Sequence, residues 1–247
     1  MPLATRNVIG TKRVFKNHSK NPMSVIIPAA GMGHRMKSYG PKALINLYED
    51  TTIIERQIEI IWSVYPKCDI FIVIGFEADK VRERLKNYPV RFIHNPIHAE
   101  TNVLYSISLA LQACISDEIL ICYGDLVFNE ATIKGLRGSS CAIVDKKGMM
   151  KKDEVGLILN EKKITNFSFG LDLKWCHIAY LKEKELSLFK TISLSGSSSQ
   201  WFGYEALNYI LDNGGTMMCY SSPGMKIFEV DSAKDLEKIP KNKLTLD

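Results

Sequence analysis

Two glycines and two cations near the start of the chain point to phosphate chemistry. Ser24 to Leu44 reads Ser-Val-Ile-Ile-Pro-Ala-Ala-Gly-Met-Gly-His-Arg-Met-Lys-Ser-Tyr-Gly-Pro-Lys-Ala-Leu. A short apolar run, Val25 to Ile27, predicts a buried strand that empties into the loop Ala29-Ala30-Gly31-Met32-Gly33. Glycine lets backbone N–H groups approach a phosphate closely, and a nearby positive side chain can clamp it. Arg35 and Lys42, the latter behind Pro41, suit a triphosphate whose charge must be neutralised before attack. Gly-x-Gly alone would be explained by a tight turn after a strand. Met36 stands where the dinucleotide fingerprint has its third glycine, and the Gly-Lys-Ser/Thr of a P-loop is missing.

Two aspartates far along the chain complete the candidate set. Asp125 follows the apolar run Glu118 to Cys122, and Asp231 follows Lys226 to Val230. Either one alone reads equally as a turn or cap residue. Together with the glycine loop they suggest a magnesium site, because Mg²⁺ takes one or two carboxylates plus phosphate oxygens and water. Both stand at the C-terminal ends of apolar strands, where ligands collect in open α/β sheets. His94 and His98 are separated by Pro96, which argues against a helical metal pair and leaves them as loop or surface residues. His34 lies inside the glycine loop, where local spacing does not decide its role. The lysines of 145–152 read as solvated loops, with contact to an anionic acceptor as the alternative. Trp175, Tyr180 and Trp201 read as core or pocket wall rather than a cage for a cation.

The elements that must position these groups follow from periodicity. Thr52 and Glu55 have capping-box spacing, with Ile54, Ile58, Ile61 and Trp62 at helical intervals behind them. Ile70 to Ile74, Val90 to Ile93 and Glu118 to Cys122 predict strands, with a charged helix over 77–85 and an apolar-faced helix over 103–113 between them. This β-α-β alternation, with strands apolar on both faces, predicts an α/β fold whose parallel sheet is covered by helices. Cys141 to Val144 and Trp175 to Leu181 predict further strands, and 155–159 and 164–169 a hairpin around Asn160-Glu161-Lys162-Lys163. A helix over 200–211, strands over 217–220 and 226–230, and a last short helix capped by Ser232 complete the pattern.

Composition narrows the function classes. The chain has 247 residues, 46% of them hydrophobic and 24% charged, an ordinary globular balance. No apolar run approaches the roughly 20 residues needed to span a membrane, and the N-terminus lacks the apolar segment of a secretory signal. The six cysteines include no Cys-x-x-Cys pair and read as reduced, mostly buried thiols of a cytoplasmic protein. The net charge of +5 resides wholly in residues 1–22, which carry Arg6, Lys12, Arg13, Lys16 and Lys20 and no acid. The body is formally neutral, so a nucleic-acid partner is not expected. Residues 1–22 are expected to form a solvated basic extension, and 23–247 a single domain. A chain starting at Met23 is expected to keep its fold and activity.

The glycine-loop segment Ala29-Ala30-Gly31-Met32-Gly33-His34-Arg35-Met36 … Pro41-Lys42 resembles the signature of the sugar-phosphate nucleotidyltransferase superfamily. Val73-Ile74-Gly75-Phe76, Gly124-Asp125-Leu126-Val127-Phe128 and Phe228-Glu229-Val230-Asp231-Ser232 are similar to later family segments, in the right order. Asn95-Pro96 … Thr101-Asn102-Val103-Leu104-Tyr105-Ser106 resembles the phosphocholine-type cytidylyltransferases. The resemblance implies a three-layer, mostly parallel mixed sheet of Rossmann-like nucleotidyltransferase type, with acceptor-binding insertions in 145–205. It implies transfer of CMP from CTP to a small phosphorylated acceptor with release of pyrophosphate. In that scheme Ala29, Ala30, Gly31, Met32, Gly33 and Gly75 cradle the nucleotide, and Thr101, Asn102 and Ser106 meet base and ribose. Arg35 holds the β- and γ-phosphates, Lys42 acts at the α-phosphorus, and Asp125 and Asp231 hold Mg²⁺. Thr101-Asn102 departs from the Gln … Gly-Thr pattern of thymidylyl and uridylyl enzymes, which favours CTP. No β-helix follows the last strand, which argues against the bifunctional sugar enzymes. The acceptor implied is phosphocholine or a phosphorylated amino acid such as glutamine phosphate, in capsule or cell-surface polysaccharide synthesis. A sugar 1-phosphate enzyme, an inactive nucleotide-binding regulator and a nicotinamide dehydrogenase are the alternatives, and a homodimer is left open.

Overall fold

Strands that are apolar on both faces must be covered on both, and this requirement sets the architecture. The computed structural model describes residues 22–32, 40–146, 153–231 and 233–238. Strand β1 (Ser24–Ala29) precedes a 3₁₀ turn (Lys42–Leu44), a ribbon of β2 (Asn46–Tyr48) and β3 (Thr51–Thr52), and helix α1 (Ile53–Val64). Then come β4 (Asp69–Ile74), α2 (Ala78–Arg84), β5 (Arg91–His94), α3 (Val103–Ala113) and β6 (Glu118–Cys122). β7 (Leu126–Phe128), α4 (Glu130–Ile133) and β8 (Cys141–Asp145) lead to β9 (Val155–Asn160), β10 (Lys163–Phe169) and β11 (Leu173–Lys182). The last described elements are α5 (Glu183–Ser193), α6 (Gly203–Asp212), β12 (Met218–Tyr220), β13 (Ile227–Glu229) and α7 (Ala233–Lys238).

Nine strands form one sheet in the order β5-β4-β1-β6-β11-β8-β12-β10-β9. The four strands β5, β4, β1 and β6 are mutually parallel, and β12 is parallel to β8. β11 runs antiparallel between β6 and β8, and the β9–β10 hairpin forms the far edge. The sheet is thus mixed, with its parallel half holding the glycine loop.

Side-chain alternation divides the core into two layers, one on each face. Ile26, Phe71, Val73, Ile119 and Ile121 pack with Leu104, Ile107 and Leu111 of α3, Leu186 and Phe189 of α5, and Leu207 and Ile210 of α6. Val25, Ile27, Ile70, Ile72, Ile74 and Leu120 pack on the other face with Ile54, Ile58 and Ile61 of α1 and Val81 of α2. The expected three-layer α/β arrangement is therefore present. The N-terminus of α1 carries the anticipated capping box: Glu55 N donates to Thr52 Oγ1 at 3.4 Å and Thr52 N to Glu55 Oε2 at 2.9 Å.

Some elements are not among those expected from the sequence. Helix α5 is one of them, although Leu186, Phe189 and Ile192 recur at three-residue intervals and are buried. Strand β7 is only three residues long and exists because β13, about a hundred positions later, pairs with it. Ser232, the expected cap of α7, and the basic segment 1–21 lie outside the described residues. Among the described residues, no helix is long and apolar enough to cross a membrane. All six cysteines are free, and four of them are buried.

Candidate active site

The parallel strands β1 and β6 end side by side, and a cleft of about 550 Å³ opens above their C-terminal ends. This is where open α/β sheets place ligands, and the size suits a nucleotide-sized occupant. Pro28, Ala29, Ala30 and Gly31 form one wall. Ala30 is braced from behind, since its carbonyl accepts Phe76 N–H at 3.0 Å. Gly75 supports this loop without lining the cleft: a Cβ on it would lie 2.7 Å from His98 and 2.8 Å from the Ala30 carbonyl oxygen. Met32 does not line the cleft either, and Gly33, His34 and Arg35 lie outside the described residues. Gly75→Ala is expected to destabilise the fold by about 1–3 kcal/mol through overpacking and to raise the KM for nucleotide. Thermal melts and initial rates check this, and an unchanged melting midpoint would show that the loop yields freely.

Asn102 caps α3, its Oδ1 accepting Val103 N–H at 2.8 Å. Thr101, Asn102 and Ser106 all reach the cleft. Asn95, fully buried, organises them: its Nδ2 donates to Thr101 Oγ1 at 3.2 Å and to Ser106 Oγ at 3.0 Å. His98, on the loop after β5 as expected, also lines the cleft. The nucleotide-side candidates that are described therefore converge, apart from Met32 and Gly75.

The floor holds the charged groups. Asp125 stands on the turn after β6, and Asp231 just beyond β13. The β7–β13 ladder pairs Leu126 with Glu229, and Val230 N–H donates to the Asp125 carbonyl at 2.9 Å. This cross-connection brings Asp125, Glu229 and Asp231 together, with one carboxylate oxygen of each within 4.8 Å of the others. Lys42 Nζ lies 2.7 Å from Asp231 Oδ1 and 3.5 Å from Asp125 Oδ2. Burial by itself would lower the Lys42 pKa, but the two carboxylates outweigh it and hold the ammonium above its ordinary value. Glu229 is held above the usual carboxylate range by burial, with Asp125 and Asp231 adding to the effect and His177 and Lys174 opposing it.

The donor set fits a hard divalent cation, for which clustered carboxylate oxygens are the preferred ligands. Asp125 Oδ1 supports that fit, because it is buried and has no hydrogen-bond partner among the described residues. Glu229 was not among the ligands expected from sequence. Its position two residues before Asp231 in an extended segment was the available signal, since alternate residues share a face.

The rest of the lining has a different character. It is formed in part by Tyr123, Phe169, Phe202, Asp153 and Glu154. Lys174 Nζ bridges Glu154 at 2.7 Å and Glu229 at 3.6 Å, linking Glu154 to the acidic cluster. His177 enters the cleft because β11 is bulged between Trp175 and Ala179, and its φ of 54° is left-handed. Bulges re-aim side chains in this way, and a non-glycine residue at positive φ is held there by its surroundings. Here the His177 ring stacks on Tyr123 at 5.1 Å and meets Trp175 edge-on at 4.9 Å. Trp175 and Tyr180 are core residues, buried as expected.

Residues 25–149 match the profile of the MobA-like NTP transferase domain. The chain belongs to this family. Curated relatives of this MobA-like chain include the bifunctional protein GlmU of Synechococcus sp. (strain JA-2-3B'a(2-13)), 31% identical over 109 residues, which are 44% of this chain and 17% of the relative. GlmU of Buchnera aphidicola subsp. Acyrthosiphon pisum (strain Tuc7) is 37% identical over 118 residues, 47% of this chain and 25% of the relative. The matched stretch thus spans a quarter or less of these relatives. Among solved structures, the CTP:phosphocholine cytidylyltransferase of Streptococcus pneumoniae has a TM-score of 0.71 at 21% identity, covering 91% of this chain and all of that one. The inositol-1-phosphate CTP transferase of T. maritima has a TM-score of 0.74 at 16% identity, covering 93% of this chain and 97% of its own. A putative glucose-1-phosphate thymidylyltransferase of Bacillus anthracis scores 0.70 at 15% identity, covering 91% of this chain and 96% of its own. At these identities the likeness is one of fold, an α/β nucleotidyltransferase fold around a central mixed sheet.

Proposed function

We propose that this MobA-like protein transfers CMP from CTP to a small phosphorylated acceptor and releases pyrophosphate. The observation that carries this reading is the placement of Lys42 between Asp125 and Asp231, in a cleft also lined by the Ala30-Gly31 loop and the N-terminus of α3. In the reaction, an oxygen of the acceptor phosphate attacks the α-phosphorus in line. The new P–O bond forms as the bond to the bridging oxygen breaks, and pyrophosphate leaves with that electron pair. The acceptor phosphate is already ionised near neutral pH, so no protein base or nucleophile is required. Catalysis then rests on positioning and charge neutralisation.

In this scheme the Ala30-Gly31 backbone meets the phosphates, and Thr101, Asn102 and Ser106 meet base and ribose. Lys42 stabilises charge at the α-phosphorus, while Arg35 is assigned to the β- and γ-phosphates on sequence grounds. Asp125 and Asp231, with Glu229 beside them, would hold Mg²⁺, which when bound neutralises phosphate oxygens. CTP is supported by the Thr101-Asn102 pair and by the two fold neighbours described as CTP enzymes. The aromatic side chains of Phe169 and Phe202 lining the cleft favour an acceptor carrying a cationic nitrogen, as phosphocholine and phosphorylated glutamine both do.

A pyrophosphate-release screen of the four NTPs against phosphocholine, phosphorylated amino acids and sugar 1-phosphates tests this reading. Release is expected with CTP and a nitrogen-bearing acceptor. Release confined to UTP or dTTP with sugar 1-phosphates would overturn the choice of substrates, and CTP binding without release would point to a regulator.

A further inference from the structure

We propose that Gln57, on the buried face of α1, is the positioning residue of the acidic cluster, a role that rests on the metal-binding part of the function proposed above. Gln57 is 1% exposed and sits among Ile53, Ile54, Ile58 and Ile61. Its Nε2 donates twice, to the Tyr123 carbonyl at 2.8 Å and the Leu126 carbonyl at 2.7 Å. Those two carbonyls bracket Gly124-Asp125, so one amide group holds the turn that presents Asp125 from both sides. Leu126 is also the partner of Glu229 in the β7–β13 ladder, and the Asp125 carbonyl accepts Val230 N–H at 2.9 Å. The same amide therefore anchors the backbone from which all three carboxylates project.

An amide is a costly group for this location. Its oxygen, Oε1, is buried without a hydrogen-bond partner, so the side chain is only half satisfied. An apolar residue of similar length would fill the space without that penalty. What such a residue lacks is the pair of donors, and both are used on the Asp125 turn. A carboxylate cluster binds a cation well only when its oxygens are held at the right separation, and supporting groups behind ligands typically change metal affinity by about 10–100-fold.

Gln57→Met tests this, since it keeps the volume and removes both donors. Mn²⁺ titration of the folded protein, followed by electron paramagnetic resonance well below the melting midpoint, should show a dissociation constant raised about ten-fold. The Mg²⁺ concentration for half-maximal activity should rise in parallel, with a smaller change in the KM for CTP. A folded Gln57→Met protein with wild-type Mn²⁺ affinity, even if less heat-stable, would overturn the proposal and leave Gln57 a structural tie. If Gln57→Met does not fold, Gln57→Glu takes its place: it keeps the shape and at most one donor. Weakened Mn²⁺ binding by that variant supports the proposal, and unchanged binding overturns it. Wild-type protein that releases pyrophosphate but binds no Mn²⁺ also overturns it. The proposed transfer reaction fails separately, in the pyrophosphate screen of the unmodified protein.

Discussion

Lys42→Ala is expected to lower kcat for nucleotidyl transfer by about 10²–10³-fold, the loss typical of removing one preorganised stabiliser of transition-state charge. CTP binding should change far less, because the loop backbone and the α3 side of the cleft are untouched. Lys42 is well placed for this role. The 3₁₀ turn after Pro41 fixes its backbone, and its ammonium is kept charged by two carboxylates at 2.7 and 3.5 Å. Its charge is also shared: the groups that hold it are those that would hold the metal. Removing it leaves Asp125 and Asp231 without their nearest internal cation. The same variant should therefore bind Mn²⁺ more tightly in the absence of nucleotide while turning over more slowly. Single-turnover kinetics and Mn²⁺ titration read the two effects separately. Unchanged turnover would remove Lys42 from the mechanism.

Asp125→Asn and Asp231→Asn are expected to lower Mg²⁺-dependent activity by about 10²-fold or more each, a loss of at least about 2.7 kcal/mol of transition-state stabilisation. Both substitutions keep the shape and remove a charge, so the fold should persist. The two positions differ in kind. Asp125 is on a turn tied to β1, β11, β13 and α1, with one oxygen buried and available to a cation. Asp231 is more exposed, holds Lys42 at the shorter distance, and its N–H is capped by Asp235 at 3.2 Å. Asp125→Asn should thus raise the Mg²⁺ requirement more steeply, whereas Asp231→Asn should also loosen Lys42. Pyrophosphate release measured across a Mg²⁺ series distinguishes them. Normal activity in either variant would sink that ligand assignment.

Several features of this protein are legible in its sequence because they depend on near neighbours. Thr52 and Glu55 announce the start of α1 because a capping box closes within one turn. Val25, Ile27, Ile70 and Ile72 on one face, with Ile26, Phe71 and Val73 on the other, announce buried parallel strands because apolar residues on both faces need two covering layers. The glycine loop, Lys42, Asp125 and Asp231 stand out by residue type at strand ends, and the order of these motifs carries the family resemblance. Other features depend on partners distant in the chain. Strand β7 is too short to be recognised alone and is defined by pairing with β13, and that pairing is what carries Glu229 to Asp125. His177 faces the cleft because a bulge against β8 turns it there, a register event between strands that no local pattern records. Gln57 reads as one polar residue on an apolar helix face until the Asp125 turn is seen folded against it. Local composition determined the layers, the strands and the chemical types at their ends. Tertiary structure decided which charged groups share one cleft floor, because cross-strand pairing and side-chain to backbone bonds set distances between residues far apart in the chain.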